Sequence, residues 1–388
     1  MTASTEPAAA ESITAARLAA ARAGLTARDA SALLIGQGSD LRYLTGHSAH
    51  PMERLTMLVL PADGAAALVA PRLEAMAASA SSAGAAGLVE VVPWDETDDP
   101  YAIVAGRLGT VTDRAAPRLL VDPGLWAQHL LALQRALPRR VFGLATEVTR
   151  DLRIVKSPAE IAHLRDAAHA ADRVIEQIAR GRLVGRTEAD VAREIGERLV
   201  AEGHEVAAFA IVASGPNSAS PHHGASDRVI QAGEPIVLDI GGTLADYHSD
   251  TTRTIWVSGG DAGRGPDDEF RAIYDLVQRA NADATAAVRP GVACEQLDEV
   301  ARGVIRAGGY GEAFIHRLGH GIGLDGHEEP YLVADSGDSL SEGMAFSIEP
   351  GIYLQGRYGV RIEDIVVCAA DGPDLLNESA RALLVVDG

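Results

Sequence analysis

Cysteine is scarce in this sequence, since Cys294 and Cys368 are the only two among 388 residues. Two cysteines so far apart exclude a disulfide-stapled scaffold and a CxxC metal or redox motif, and they fit a reducing cytoplasm. No stretch reaches the ~18 strongly apolar residues of a membrane span, and the first residues lack the basic start of an export signal. We therefore expect a cytoplasmic protein with no membrane partner.

Basic residues are also in the minority, with 34 Lys and Arg against 54 Asp and Glu and a net charge of −20. A field of this sign repels polyanions, so nucleic acid is not an expected partner. The hydrophobic fraction of 47% and the charged fraction of 23% exclude global disorder. Because the chain is more than twice the ~150-residue length typical of one domain, we expect two domains.

The pattern of apolar residues divides the chain in two. Up to about residue 145, short apolar runs alternate with alanine-rich helical stretches, which is typical of an α/β domain. The S-P-x-E motif at 157–160 predicts the capping-box start of a long helix. We place the boundary within 147–157 and predict domains 1–150 and 151–388, with all recognisable chemistry in the second.

Two glycine-bounded segments of the second domain have helical patterns, from Gly185 to Gly203 and from Gly291 to Gly309. Their equal lengths are consistent with an internal duplication. Chance similarity between two amphipathic helices explains the pattern equally well, and the sequence leaves both explanations open.

Four acidic residues occupy runs where apolar side chains are expected. Asp239 lies in PIVLDIGG and Asp250 opens DTTRTIWV, and the intervening GGTLADYHS predicts a hairpin that brings the two carboxylates together. Glu349 lies in MAFSIEPGIYL and Glu363 in GVRIEDIVV. Because an ionised carboxylate in an apolar setting is costly unless it is paired, each of the four needs a partner.

Two kinds of partner can satisfy these acids. Ordinary ion pairs would join Glu363 to Arg361 and Asp250 to Arg253. The four acids outnumber the nearby basic residues, whereas two divalent cations balance four carboxylates. This count favours a metal site.

The segment GHGIGLDGHEEP at 319–330 supplies imidazoles for such a site. His320 is flanked by glycines that would let the backbone approach a bound centre, so we predict it as a nitrogen ligand. An oxygen-rich set with one nitrogen and no sulfur suits Mn²⁺, Co²⁺, Fe²⁺ or Zn²⁺, and a bridged ion pair predicts hydrolysis. His222 and His327 are candidates to stabilise a tetrahedral intermediate and protonate a leaving amine. Three further histidines fit structural roles better: His223, His248 and His316.

These motifs together resemble a known family. The series PHHGASD, VLDIGG, HSDTTRT, GHGIGLDGHEEP, SIEPGIY and GVRIED is similar to the proline-peptidase branch of the pita-bread metallopeptidases, the family of aminopeptidase P and prolidase. The first domain resembles, less specifically, the creatinase-type N-terminal domain of these enzymes. The resemblance implies an α/β N-terminal domain of ribonuclease-H-like type followed by an α+β pita-bread catalytic domain.

The resemblance also implies a role for each site residue. Five residues would hold two ions: Asp239 on one ion, Asp250 and Glu363 bridging, and His320 with Glu349 on the second. Glu349 would also be the general base, and His222 and His327 would contact the substrate. Arg361 would hold Glu363 in place and contribute to the substrate site.

One position departs from the family pattern. Many prolidases carry an arginine four residues beyond the position of His327, where it grips the dipeptide's carboxylate, but Tyr331 stands there in this sequence. The Tyr331 hydroxyl or Arg42 of a partner subunit could replace that contact, or the enzyme could accept longer peptides. Members of the family are commonly homodimers, so Asp40 and Arg42 are expected to act across the subunit interface.

We expect this homodimer to hydrolyse the bond between an N-terminal residue and a following proline in di- or oligopeptides, with two divalent ions, manganese ahead of cobalt or zinc. Proline lacks an N–H and has a fixed φ, so its bond needs a shaped apolar pocket. The alternatives are a non-catalytic binding module and an aminopeptidase or other hydrolase of the same fold without proline specificity. The intact ligand set argues against the first, and the extra N-terminal domain argues against methionine aminopeptidase.

Overall fold

The computed structural model describes residues 6–109 and 118–388. The chain divides into two compact units, Met1–Arg153 and Ile154–Gly388. Within the described ranges, none of the helices is long and apolar enough to cross a membrane. Each unit is described below by itself.

The first unit is built around one sheet. Its strands are β1 (Ala30–Ile35), β2 (Met57–Pro61), β3 (Ala67–Pro71), β4 (Glu90–Trp94), β5 (Arg118–Val121) and β6 (Val141–Leu144). Its helices are α1 (Glu6–Ala27), α2 (Ser39–Thr45), α3 (Ala75–Ala80), α4 (Ser82–Ala85), α5 (Pro100–Leu108), α6 (Ala127–Ala136) and α7 (Thr146–Arg153). The strand order is β4-β3-β2-β1-β5-β6, with parallel pairing at β3/β4, β1/β5 and β5/β6. Leu34, Val59 and Val69 are fully buried in its core, so the apolar runs form the predicted α/β layers.

The second unit combines four long helices with two sheets. The helices are α8 (Pro158–Ala179), α9 (Glu188–Ala201), α10 (Asp268–Ala286) and α11 (Cys294–Ala307). The strands are β7 (Val206–Ser214), β8 (Glu234–Leu244), β9 (Tyr247–His248), β10 (Thr251–Val257), β11 (Gly319–Gly321), β12 (Glu328–Leu332), β13 (Ala345–Ile348), β14 (Gly351–Leu354), β15 (Tyr358–Arg361), β16 (Asp364–Ala369), β17 (Gly372–Leu375) and β18 (Leu384–Val386). Short 3-10 helices cover Gly215–Ala219, Ala262–Arg264 and Gly311–Ala313.

The two sheets of this unit each carry a pair of helices. The first sheet has the order β18-β10-β8-β7, with β9 beside β8, and its core includes Val174 of α8 and Leu199 of α9. The second has the order β12-β11-β13-β16-β17, and its core includes Phe270 of α10 and Leu297 of α11. β14 and β15 form a separate hairpin. The pairing of β8 with β10 is antiparallel, as the carboxylate-bearing hairpin predicted.

The start of α8 confirms the capping-box prediction. The Ser157 hydroxyl accepts from the Glu160 backbone N–H at 3.4 Å, and the Glu160 carboxylate accepts from the Ser157 backbone N–H at 2.8 Å. Both groups would otherwise be unsatisfied at the helix end. The two glycine-bounded segments are helices α9 and α11, whose first residues and whose last residues are each separated by 106 positions.

Candidate metal centre

The five predicted metal ligands come from both sheets of the second unit. Asp239 lies inside β8 and Asp250 directly precedes the antiparallel neighbour β10, so the hairpin places them side by side. The other three come from consecutive strands of the second sheet: His320 in β11, Glu349 after β13 and Glu363 before β16. The Glu363 backbone N–H donates to the Thr252 carbonyl of β10 at 3.1 Å, which ties the two sheets together at this point.

The ligand atoms of these residues form two overlapping groups. Within each group the atoms lie within 4.8 Å of one another, and the groups are Asp239 with Asp250 and Glu363, and His320 with Glu349 and Glu363. His320 Nε2 lies 3.3 Å from Glu349 Oε1 and 3.6 Å from Asp250 Oδ2. Because Glu363 belongs to both groups, it lies where a carboxylate that bridges two ions must lie.

The carboxylates of the cluster destabilise one another. Burial, together with the neighbouring acids, raises the pKa of Asp250 and that of Glu363 well above their ordinary values. Burial raises the pKa of Glu349 to about 7. Among the described residues, Oδ1 of Asp239 is buried without a hydrogen-bond partner. Buried, mutually repelling acids with an orphaned oxygen fit bound cations, which would supply the missing positive charge.

His320 is held in the tautomer that a metal ligand needs. Its Nδ1 lies 3.1 Å from the Gly321 carbonyl, which can only accept, so Nδ1 carries the proton and the Nε2 lone pair faces the carboxylates. Burial lowers the pKa of His320 to about 3, so the ring is neutral. Four carboxylates with one imidazole and no thiolate suit Mn²⁺, Co²⁺, Fe²⁺ or Zn²⁺. The residues therefore fit a pair of divalent ions.

Strand packing requires the glycines beside His320. A Cβ on Gly319 would collide with the Ser347 carbonyl of β13, and one on Gly321 would collide with the Glu329 carbonyl of β12. β11 is thus squeezed between two neighbouring backbones. The glycines allow this close strand packing, and their role in letting the backbone approach a bound centre stays a prediction.

Arg361 reaches its predicted partner Glu363 through Thr252, because its Nε donates to the Thr252 hydroxyl at 3.1 Å and that hydroxyl donates to Glu363. Its Nη2 donates to Asp239 Oδ2 at 2.6 Å, whereas Glu363 accepts from the Thr252 hydroxyl at 2.7 Å. Residues two apart share a face only within one strand, and β15 ends at Arg361 before Glu363. Arg361 is only 3% exposed and its other nitrogens donate to protein oxygens, including that of Tyr353. It therefore positions Asp239 and is poorly placed for the substrate contact we assigned to it.

Arg253, the alternative ion-pair partner of Asp250, also turns elsewhere. Its Nη2 donates to Asp364 Oδ1 at 2.7 Å. Asp250 precedes β10 by one residue, and Arg253 is three residues on, so the two side chains point to opposite faces. The alternative explanation of the carboxylate cluster, two local ion pairs of Glu363 with Arg361 and Asp250 with Arg253, is therefore excluded.

The predicted substrate histidines line one cavity of about 560 Å³ together with the five ligands. His222 is exposed at its wall. The His327 ring lies 3.7 Å from the His320 ring, centroid to centroid, and burial followed by the charge of Arg317 lowers its pKa. His327 also offers a nitrogen within 4.8 Å of the Asp250 and His320 ligand atoms.

The two remaining predicted contacts lie elsewhere. Tyr331 pairs with His320 across β11 and β12, and its ring lies beneath Arg317. Arg42 belongs to α2 of the first unit, where its guanidinium donates to the Ser48 hydroxyl. Asp40 of the same helix pairs with Arg153 at 2.7 Å. Their action across a subunit interface remains a prediction.

Two groups that face or support the cavity were not predicted from the sequence. Arg317 and His316 both line it. The His316 Nδ1 donates to the Arg317 carbonyl at 2.7 Å and its Nε2 lies 2.9 Å from the Tyr353 hydroxyl, so this histidine is structural, as predicted, and also lies at the cavity wall. Burial lowers its pKa to about 4.

Glu188, at the start of α9, is the second group, and its side chain is fully buried. Its carboxylate accepts from the Ser226 hydroxyl at 2.6 Å and from His223 Nε2 at 2.8 Å, with further donors on Ser214 and Asn217. Burial opposes its charge, but these hydrogen bonds prevail and lower its pKa to about 2. Glu188 thereby holds the loop that carries the exposed cavity histidine. An acid in the first turn of a helix is common, so no local signal reveals this role.

We expect Glu188→Gln to lower the free energy of unfolding by about 3 kcal/mol at pH 7, because 2.5 pKa units correspond to that amount. The pKa is depressed in the folded protein, so the contribution is full above about pH 4.5 and is lost as pH falls toward 2. At pH 3 the difference from wild type should shrink to about 1 kcal/mol in urea unfolding. Glu197→Gln, at an exposed position on the same helix, serves as control. A difference in unfolding free energy between wild type and Glu188→Gln that does not change with pH would contradict this account of Glu188.

Comparison with known proteins places these features in context. The family model for metallopeptidase family M24 matches residues 162–370, and that for the creatinase/prolidase N-terminal domain matches residues 17–155. A Mycobacterium tuberculosis protein named "Probable dipeptidase PepE" is 48% identical over 371 residues, which cover 95% of this chain and 96% of that protein. The "Xaa-Pro dipeptidase" of Lactobacillus helveticus is 34% identical over 350 residues, covering 89% and 92%. The crystal structure of dipeptidase PepE from Mycobacterium ulcerans matches with a TM-score of 0.90 at 47% identity, covering 97% and 98%.

Proposed function

The chain belongs to metallopeptidase family M24, and on that basis we propose that it uses two divalent metal ions to hydrolyse the bond between an N-terminal residue and a following proline. Membership makes the chain a peptidase, and it confirms the resemblance found in the sequence motifs. The predicted fold, an α/β creatinase-type domain followed by a pita-bread domain, is confirmed as well. Support for proline comes from the Lactobacillus relative, whose name is Xaa-Pro dipeptidase.

The observation that carries the proposal is the convergence of three buried carboxylates, the partly buried Glu349 and one neutral imidazole on one cavity. Bound divalent ions would supply an acidified water and a positive charge against the scissile carbonyl oxygen. Asp239 would hold one ion, His320 and Glu349 would hold the other, and Asp250 and Glu363 would contribute to both. An oxygen-rich set favours manganese, with cobalt or zinc as alternatives.

The chain's own proton carriers lie beside this cluster. Glu349 Oε1 is 3.3 Å from His320 Nε2 and can accept the proton of the attacking water. Arg317 donates to His327 Nδ1 at 3.0 Å, so the neutral His327 ring carries its proton on Nε2. That N–H can donate to the tetrahedral intermediate, and His222 faces the same space.

Part of the cavity wall is apolar, which suits proline. Ala208, Phe209 and Ile211 line it. A prolyl ring is apolar and its nitrogen has no hydrogen, so an apolar wall contacts the ring without leaving a buried donor unsatisfied. The homodimer and the cytoplasmic location stay predictions from the sequence.

Kinetics on matched peptides test this function. The manganese-loaded protein should cleave Ala-Pro with a kcat/KM at least about 100-fold above that for Ala-Ala. The reason is that the prolyl ring makes several apolar contacts with the cavity wall that the alanine side chain does not make. Ala-Pro-Ala and Met-Ala-Ala complete the set. A preference for Ala-Pro-Ala over Ala-Pro would make the protein an aminopeptidase of longer peptides, and equal rates on Ala-Ala and Ala-Pro would contradict proline specificity.

A further inference from the structure

Arg317 is a charged residue of the cavity lining to which the proposed reaction assigns no substrate contact. It lies between the 3-10 helix Gly311–Ala313 and β11, half-buried. Its guanidinium carbon is 4.3 Å from the centre of the Tyr331 ring, and its Nη2 is 3.0 Å from His327 Nδ1. The aromatic face and the imidazole fix the plane and the direction of the guanidinium.

The backbone around Arg317 is held firmly. Arg302 donates to the carbonyls of Phe314 and His316, each at 2.9 Å, and Asp298 accepts from the Leu318 backbone N–H at 3.0 Å. Arg302 and Asp298 are themselves an ion pair on α11 at 2.8 Å. The residues flanking Arg317 are therefore anchored to a helix, and its side chain starts from a fixed point.

Arg317 lacks an acidic partner. Across the ranges that the structure describes, it forms no ion pair with a carboxylate, although most arginines of the second unit do. Because none of the described carboxylates pairs with it, the Arg317 guanidinium is available to bind an acidic group of the substrate.

We propose that Arg317 binds the C-terminal carboxylate of a dipeptide substrate. It thereby takes the role of the arginine that many prolidases carry at the position of Tyr331. The inference rests on the proposed function. In an Xaa-Pro dipeptide that carboxylate is three bonds from the scissile carbonyl carbon, and His327, which is proposed to contact the intermediate, touches Arg317 directly. Tyr331 supports the guanidinium from below by stacking. A planar fork binds a carboxylate through two parallel hydrogen bonds.

This contact makes Arg317 a specificity-determining residue. In a longer peptide the prolyl carboxylate becomes a neutral amide, which offers no charge to the guanidinium. The protein then selects dipeptides over longer peptides even though Tyr331 occupies the position where many prolidases carry the arginine.

The test compares Ala-Pro with its C-terminal amide, Ala-Pro-NH2, on the full-length manganese-loaded protein. Wild type should prefer Ala-Pro in kcat/KM. Arg317→Met should reduce that preference about 10- to 100-fold, mainly through a higher KM for Ala-Pro, as expected for the loss of a charge-assisted pair. Any loss through His327, which Arg317 also contacts, affects both substrates and cancels in the ratio.

Two further variants complete the experiment. Arg317→Lys keeps the charge without the fork and should retain part of the preference; it also provides the measurement if Arg317→Met does not fold. Arg271→Met, an exposed arginine on α10, should leave the ratio unchanged. An unchanged ratio in Arg317→Met overturns the carboxylate contact, whereas a wild type that cleaves neither substrate overturns the proposed function itself.

Discussion

Asp250→Ala is expected to abolish most Ala-Pro hydrolysis, with a loss of about 10³-fold or more in kcat/KM, because metal chemistry supplies several kcal/mol of the rate enhancement. Asp250 is buried between the two ligand groups, with Oδ2 at 3.6 Å from His320 Nε2. No neighbouring carboxylate can replace it, since Asp239 and Glu363 already face the same point. Alanine also leaves a gap that cannot hold an ion.

The measurement pairs activity with bound metal. Elemental analysis of the purified Asp250→Ala protein should give fewer than two manganese ions per chain, while circular dichroism stays that of wild type. The exposed Asp275→Ala on α10 is the matched control and should retain both metal and activity. Full activity of Asp250→Ala with two ions bound would refute the role of Asp250.

Glu349→Gln is expected to lower kcat by about 10²- to 10⁴-fold, the range that a general base contributes. Glutamine keeps the shape of the side chain and one carbonyl oxygen, so metal and substrate should bind more nearly normally than in Asp250→Ala. What it loses is the oxygen that accepts the water's proton. The KM for Ala-Pro should change little.

Steady-state and metal-binding data together decide this prediction. A kcat loss with both ions retained assigns Glu349 the proton-transfer role. If metal binding falls in proportion to activity, Glu349 acts as a metal ligand and not as the general base. A kcat within twofold of wild type would contradict both roles.

The carboxylate cluster was predictable because its acids occupy sequence positions where apolar residues are expected. Asp239 interrupts a largely apolar strand and Glu349 directly follows another, and an unpaired carboxylate at such a place has a large energetic cost. The hairpin between Asp239 and Asp250 follows from local turn residues, and so does the capping box of α8. Local patterns thus indicated the α/β character of the first domain and the acids of the cluster, whereas the pita-bread fold and the ligand roles came from the family resemblance.

The contacts that the sequence did not reveal all depend on distant segments. The pairing of Arg361 with Asp239 spans 122 residues and arises because β15 ends before Glu363. The network of Glu188 joins α9 to a loop 38 residues away, and the placement of Arg317 over Tyr331 requires the pairing of β11 with β12. Sequence spacing indicates which side chains share a strand face, but it does not indicate which strand packs beside it.

A crystal structure of the manganese-loaded protein, with anomalous diffraction recorded at the manganese edge, tests the central claim most directly. Two peaks should appear in the cavity of the second unit, each within ligand distance of Glu363, one beside Asp239 and the other beside His320. Peaks at other places, or none among these side chains in fully active protein, would contradict the metal centre and the mechanism built on it.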